Sequence, residues 1–299
     1  MRWTAHTPDG RALAVEDFGD PAGFPVLVQV GTPSSRRLPG CCVTDAAARG
    51  LRLISYDRPG YGDSSPHPGY RVADSAADVQ AICAELGISR LAVWGLSGGG
   101  AHALACAALL PGGMVTAVAS LAGLAPWDAA GLDWLAGFSA DALHEVDLMF
   151  NDPAACRTMY AQSRDRILAG DPRELAAGLL TPGGADLDVL TAEVNSMKLA
   201  WKQGIEGAWD DGFTQCKPWG FDLAQLRVPV LLLHGRDDPA VPFSHGEWLA
   251  AHIPGAEAWF FSGEGHSGLL ERHIGEVHAW LAGHSGAGDA RGTGAGDAR

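Results

Sequence analysis

Short apolar segments alternate with helical patterns along the first part of this 299-residue chain, and this alternation restricts the folds that are open to it. The apolar segments predict strands at 11–18, 25–30, 51–56, 91–94 and 115–121. Helical patterns lie between the later strands, at about 71–86 and 101–110. Strands and helices that alternate at this spacing form right-handed crossovers, so we predict an α/β protein whose sheet is mostly parallel and carries helices on both faces.

The alternation stops after Gly123 and returns near the end of the chain, with strands predicted at 228–233 and 256–261 and helices at about 244–252 and 271–281. The residues between, 124–226, have helical patterns and contain five of the ten tryptophans. They also hold sixteen acidic but only seven basic residues. We therefore predict a core formed by 1–123 and 227–282, with 124–226 inserted as a helical cap over the edge of the sheet. Residues 283–299 repeat Gly-Ala-Gly-Asp-Ala-Arg and predict a disordered tail.

The net charge of −14 argues against several classes of partner. Such a chain is repelled by a nucleic-acid backbone and by an anionic membrane surface. No run of apolar residues is long enough to predict a membrane span, and residues 1–9 lack the pattern of a signal peptide. The six cysteines form no C-x-x-C pair, which is typical of reduced thiols, so we expect a cytoplasmic protein without nucleic-acid or membrane partners.

One motif that carries chemistry lies between a predicted strand and a predicted helix. Residues 95–99 read Gly-Leu-Ser-Gly-Gly, a G-x-S-x-G pattern that occurs only here in the chain. In a strand–turn–helix context, small residues around such a serine permit a sharp turn that exposes its hydroxyl group. Ser97 is therefore the candidate nucleophile.

A nucleophilic serine requires a base, and the base requires a carboxylate that orients it. The strand at 228–233 leads into a loop that contains Asp237 and Asp238, and the strand at 256–261 leads into a loop that contains His266. Loops at the carboxyl ends of the strands are where an open α/β sheet forms its site. The residues alone leave Asp237 and Asp238 as alternatives, and Asp128 follows another strand of the sheet.

Four motifs in this order resemble those of the α/β-hydrolase family over nearly all of residues 10–282. They are the segment 26–33, which is similar to the oxyanion loop of the family, the Asp-Arg-Pro-Gly-Tyr-Gly-Asp-Ser segment at 57–64, the serine motif and the acid loop at 235–242. The resemblance implies an eight-stranded, doubly wound sheet with an inserted cap. It also implies that Ser97 is the nucleophile and His266 the base.

By the same resemblance, the spacing of the acid loop selects Asp238, and the backbone N–H groups of Thr32 and Gly98 form the oxyanion hole. Two positions depart from the family pattern, since Val30 stands where a histidine is common and Ser34 where a glycine is frequent. A backbone donor requires neither side chain. Members of the family that open epoxides or displace halide use an aspartate at the position of Ser97. The serine here therefore disfavours epoxide hydrolysis and dehalogenation.

These observations favour a serine hydrolase that cleaves an ester, a thioester or a lactone through an acyl-enzyme. The other histidines, including His102, show no spacing typical of metal ligands, and we expect no metal and no cofactor. The aromatic insertion favours an apolar small-molecule substrate, and its acidity disfavours an anionic one. The alternatives are an aminopeptidase similar to proline iminopeptidases, a cofactor-free perhydrolase and a binding protein without turnover. Oligomeric state is not predicted.

Overall fold

The computed structural model describes residues 1–181 and 183–285. The strands are β1 (Arg2–His6), β2 (Ala12–Gly19), β3 (Phe24–Gln29), β4 (Leu51–Tyr56), β5 (Leu91–Leu96), β6 (Val115–Leu121), β7 (Val230–Gly235) and β8 (Glu257–Phe261). The helices are α1 (Gly40–Ala48), α2 (Ser75–Leu86), α3 (Gly98–Leu109), α4 (Ala140–Asn151), α5 (Pro153–Ala169), α6 (Pro172–Ala177), α7 (Leu187–Ala200), α8 (Glu206–Gln215), α9 (Phe243–His252) and α10 (His266–Gly283).

The eight strands form one sheet in the order β1-β2-β4-β3-β5-β6-β7-β8. The strand β2 runs antiparallel to both of its neighbours. The six strands β3 to β8 run parallel to one another. The parallel strands therefore end at the same edge of the sheet. The loops after β3, β5, β7 and β8 meet at that edge, which brings the predicted site segments together.

Both faces of the sheet are covered, and successive strand residues point to opposite sides. In β3, Val26 and Val28 pack on one side and Leu27 on the other, all three without solvent exposure. The helices α2, α3 and α9 cover the face that contains Leu27, while α1 and α10 cover the other. Strands buried on both faces account for the nearly continuous apolar runs in the sequence. The predicted α/β fold with a mostly parallel eight-stranded sheet is confirmed.

Five helices, α4 to α8, lie in the inserted segment, by which we mean residues 124–226. These helices form small apolar clusters of their own. One of them contains Met149, Cys156 and Tyr160, with Trp209 and Phe213 packed against it. The role of this segment as a cap stays a prediction.

Several element boundaries differ from the sequence-based expectation. The helix α10 begins at His266 rather than near Glu271, and it extends to Gly283, the first residue of the predicted tail. The predicted helix at about 71–86 is divided into a 3-10 turn at Val72–Asp74 and the helix α2. The strand β1 and the helix α1 were not predicted. Residues 286–299 of the predicted tail lie outside the described residues, in which no helix has the length and apolar character to cross a membrane.

Candidate active site

Ser97 lies at the tight turn between β5 and α3. Its backbone is in an unusual conformation for a residue with a side chain, with φ 57° and ψ −129°. A Cβ atom at Gly95 would lie 2.2 Å from the carbonyl oxygen of Gly99, and one at Gly99 would lie 2.1 Å from the carbonyl oxygen of Gln29. The close approach of backbone to backbone therefore requires both glycines of the motif, and the turn holds the serine in a strained conformation of the kind that clusters at functional sites.

Asp238 lies in the loop after β7 and is buried. Its Oδ1 atom accepts hydrogen bonds from the backbone N–H groups of Ala240, at 2.8 Å, and Val241, at 2.9 Å. Its Oδ2 atom lies 2.7 Å from Nδ1 of His266. Burial alone would raise the pKa of the Asp238 carboxyl group, but the hydrogen bond and charge of His266 and the two backbone donors hold it below its ordinary value. The neighbouring Asp237 is exposed. Its carboxylate accepts a hydrogen bond from the backbone N–H of Gly263 and not from His266.

His266 is the first residue of α10 and follows the loop after β8. The ionised Asp238 carboxylate can only accept a hydrogen bond, so Nδ1 of the neutral His266 ring must carry the hydrogen. The Nε2 atom of the ring then keeps its lone pair. Burial alone would lower the pKa of His266, but the bond to Asp238 and the nearby charges of Asp238 and Glu193 raise it above its ordinary value. His266 lines the same cavity as Ser97. This arrangement can hold a base beside a serine hydroxyl group.

The two predicted oxyanion donors also lie at this cavity. Thr32 follows β3, and Gly98 is the first residue of α3, where backbone N–H groups have no partner within the helix. A Cβ atom at Gly98 would lie 2.5 Å from Oγ1 of Thr32, so the two residues are in contact. Of the two positions that depart from the family pattern, Val30 is buried, and Ser34 forms a hydrogen bond of 2.9 Å with Ser196 of α7. The loop after β3 is therefore attached to the inserted segment.

The cavity beside Ser97 has a volume of about 310 Å³ and a largely apolar wall. The wall residues that carry this character are Leu124, Trp134, Phe138, Val146 and Val241. A smaller recess of about 140 Å³ lies next to Ser97 and His266 and contains the carboxylate of Glu193. Four of the five wall residues belong to the inserted segment. The described residues contain no group of three His, Cys, Asp or Glu side chains that could hold a metal ion.

Sequence reasoning missed a buried polar network behind the loop after β3. Arg58 and Asp211 form an ion pair of 2.5 Å, with both side chains almost fully buried. His102, whose spacing in the sequence predicts no role as a metal ligand, lies against this pair with its Nε2 atom 3.3 Å from Oδ1 of Asp211. No local pattern marks Asp211, because its partner lies 153 residues away along the chain.

Comparison with known proteins agrees with this architecture. A family model described as the alpha/beta hydrolase fold matches residues 25–153. The chain is 26% identical to rhodomycin D methylesterase from a Streptomyces species over 89% of its own length and 93% of that protein. It is also 26% identical to a proline iminopeptidase from Xylella fastidiosa, over 89% and 90% of the two chains.

Among solved structures, a bromoperoxidase from Bacillus anthracis superposes with a TM-score of 0.70 at 24% identity, covering 94% of this chain and 98% of that one. The match to the family model, the strand order and the position of the serine turn show that the chain has the alpha/beta hydrolase fold. The predicted α/β-hydrolase fold is therefore confirmed. The names of these three proteins denote different activities, so the reaction of this chain has to be argued from its site.

Proposed function

We propose that the protein is a serine hydrolase that cleaves a carboxylic ester, a thioester or a lactone through an acyl-enzyme on Ser97. The observation that carries this proposal is the hydrogen-bonded pair of Asp238 and His266 at the cavity that contains the strained Ser97 turn. A serine, a histidine with a free Nε2 atom and a carboxylate that orients the ring are the groups that acyl transfer requires.

In the proposed reaction, the Oγ atom of Ser97 attacks the carbonyl carbon while Nε2 of His266 accepts the hydroxyl proton. Asp238 orients the ring and stabilises the imidazolium. The N–H groups of Thr32 and Gly98 stabilise the negative charge on the carbonyl oxygen. His266 then gives its proton to the leaving alcohol or thiol, and the C–O or C–S bond breaks. Water attacks the acyl-enzyme in the same way and restores Ser97.

The walls of the cavity support an apolar acyl group. Trp134 and Phe138 stack with ring centroids 5.3 Å apart in this wall, which also contains Leu124, Val146 and Val241. About 310 Å³ is at the lower end of the range for small-molecule sites, so a medium-sized acyl chain or an aromatic acid fits it better than a long lipid. Because most of these residues lie in 124–226, we propose that the inserted segment is a cap that selects the substrate.

The smaller recess next to Ser97 and His266 favours a substrate without a negative charge. Glu193 of α7 faces this recess, and its carboxylate accepts a hydrogen bond of 3.1 Å from Ser267. Burial raises the pKa of Glu193 above its ordinary value. A carboxylate of the substrate would be repelled here, whereas a hydrogen-bond donor or an ammonium group would be attracted. This feature supports an aminopeptidase that removes an N-terminal residue as the second candidate.

A substrate panel separates the two candidates. We expect p-nitrophenyl esters of acetate to octanoate to be hydrolysed with kcat/KM that rises with chain length and then falls, and amino-acid p-nitroanilides to react far more slowly. Efficient hydrolysis of proline p-nitroanilide by the parent would favour the aminopeptidase, provided that this activity is lost in Glu193→Gln. If neither class reacts and Ser97 is not labelled by a fluorophosphonate, the proposal of a serine hydrolase is wrong.

A further inference from the structure

One helix of the inserted segment contacts both halves of the proposed oxyanion hole. Asp211 and Gln215 lie on α8, four residues apart and therefore on the same face of the helix. Both side chains are buried. Asp211 is directed to the loop that contains Thr32, and Gln215 to the turn that contains Gly98.

The Asp211 carboxylate is surrounded by donors from the core of the protein. Its Oδ2 atom accepts hydrogen bonds from Oγ1 of Thr32 and Nη2 of Arg58, both at 2.5 Å, and from the hydroxyl group of Tyr61 at 3.1 Å. Nε2 of His102 lies 3.3 Å from Oδ1. Burial alone would raise the pKa of Asp211, but the charge of Arg58 and the bonds from His102 and Arg58 hold it far below its ordinary value. The carboxylate is therefore ionised and fixed in one position.

Arg58 extends this contact along the loop after β3. Its guanidinium group donates to the backbone carbonyl oxygens of Val30 and Gly31 as well as to Oγ1 of Thr32, at 3.0 Å. A planar guanidinium group presents its donors in a fixed geometry, so it can hold three successive residues in one arrangement. Its position in turn depends on Asp211, which supplies the negative charge that a buried arginine requires.

Gln215 makes the corresponding contact with the serine turn. Its Nε2 atom donates to the carbonyl oxygen of Gly98 at 3.2 Å. Oγ1 of Thr32, which Asp211 holds, lies only 2.5 Å from where a Cβ atom of Gly98 would be. The two loops therefore meet at the point where α8 contacts each of them.

We propose that Asp211 and Gln215 form a clamp that sets the spacing of the Thr32 and Gly98 N–H groups, and that both act as positioning residues for the oxyanion hole. This inference rests on the proposed function, because it takes these two N–H groups as the donors to the tetrahedral intermediate. The inserted segment then contributes to the rate of the reaction as well as to the choice of substrate.

Three variants test the clamp, and p-nitrophenyl acetate is the substrate because it is small enough to avoid the apolar wall. Thr32→Val removes only the hydroxyl group, Gln215→Leu removes the bond to Gly98, and Asp211→Asn removes the charge. We expect kcat to fall roughly 10- to 100-fold in each, which is the range for displacement of a catalytic group by about 1 Å, with KM nearly unchanged. The affinity for a trifluoromethyl ketone, which forms a tetrahedral adduct with the serine, should fall by the same factor.

Further measurements separate positioning from a general loss of structure. The pH midpoint of kcat/KM should be unchanged in Thr32→Val and Gln215→Leu, because neither change alters a charge near His266. Combining Thr32→Val with Asp211→Asn should lower kcat little more than the more damaging single change does, since Thr32→Val removes the contact with residue 211 that Asp211→Asn weakens. Asp210→Asn is the matched control, because it removes the neighbouring half-buried carboxylate, and it should keep the parent kcat.

The possible outcomes are distinct. If Asp211→Asn does not fold because Arg58 is left without a counter-charge, the test depends on Thr32→Val and Gln215→Leu, which are neutral changes. An active parent whose Thr32→Val and Gln215→Leu variants keep its kcat and its trifluoromethyl ketone affinity overturns the clamp alone. Variants that change KM but keep the parent kcat also overturn the clamp. A parent that hydrolyses no ester and is not labelled at Ser97 overturns both the clamp and the proposed function.

Discussion

The Oδ2 atom of Asp238 lies 2.7 Å from Nδ1 of His266, while the other carboxylate oxygen is held by the backbone N–H groups of Ala240 and Val241. The two backbone N–H groups thus fix the carboxylate through one oxygen atom, and its other oxygen atom orients the imidazole ring of His266. The neighbouring Asp237 is exposed and holds the Gly263 backbone. Two adjacent aspartates that the residues alone left as alternatives have different surroundings and should differ in their effect on the reaction.

The first prediction compares these two aspartates. Asp238→Asn should lower kcat by up to about 10⁴-fold, because an amide no longer stabilises the imidazolium and can favour the wrong tautomer of His266. Asp237→Asn should stay within about tenfold of the parent, since it removes only a contact with an exposed loop. Steady-state kinetics on p-nitrophenyl acetate, with circular dichroism as the check on folding, gives the comparison. A larger loss in Asp237→Asn would move the assignment of the acid to Asp237.

The second prediction concerns pH. His266 acts as a base only when it is neutral, and its pKa is raised, so kcat/KM should be lost as the pH falls through a midpoint above about 6.5, the ordinary value for histidine. Glu193→Gln removes one of the negative charges that raise this pKa and should move the midpoint to lower pH. Glu174→Gln, on the exposed part of α6, is the control and should leave the midpoint in place. An upward shift in Glu193→Gln would show that Glu193 does not stabilise the imidazolium.

The third prediction concerns the size of the acyl cavity. Val146 of α4 lines its wall, so Val146→Phe should reduce the available volume. We expect kcat/KM for p-nitrophenyl octanoate to fall by more than about tenfold relative to the acetate ester, because a steric change of one or more methylenes in an apolar pocket changes selectivity by that order. Leu143→Phe adds similar bulk on the exposed side of the same helix and should not change the ratio. Equal losses for both esters in Val146→Phe would place the acyl group elsewhere.

The parts of the fold that sequence reasoning recovered are those in which local patterns and packing agree. The strands β4 and β6 were predicted with the bounds that the structure has, since all but one residue of each strand is buried. The edge strand β1 was missed because three of its five residues are exposed and leave no apolar run. The start of α10 was missed because Ser267 and Gly268 read as a loop, although His266 begins the helix.

The candidate site divides in a similar way. Ser97 and His266 could be selected as candidates because the serine turn and the loop after β8 have local signatures, and the loop after β7 limited the candidate acid to two neighbours. The hydrogen bond from Thr32 to Asp211 joins residues 179 positions apart, and neither position carries a pattern that indicates the other. Contacts of this kind depend on how the inserted segment packs on the core, and they follow only from the three-dimensional arrangement.

The central claim is that Ser97 forms the covalent intermediate, and mass spectrometry of the labelled protein tests it most directly. After reaction with a fluorophosphonate probe and proteolysis, we expect one adduct, on the peptide that contains Ser97. The Ser97→Ala variant should fold, remain unlabelled and lose about 10⁶-fold in kcat on p-nitrophenyl acetate, as is typical when such a nucleophile is removed. An adduct on a different serine, or labelling of Ser97→Ala at the parent rate, would contradict the proposed function.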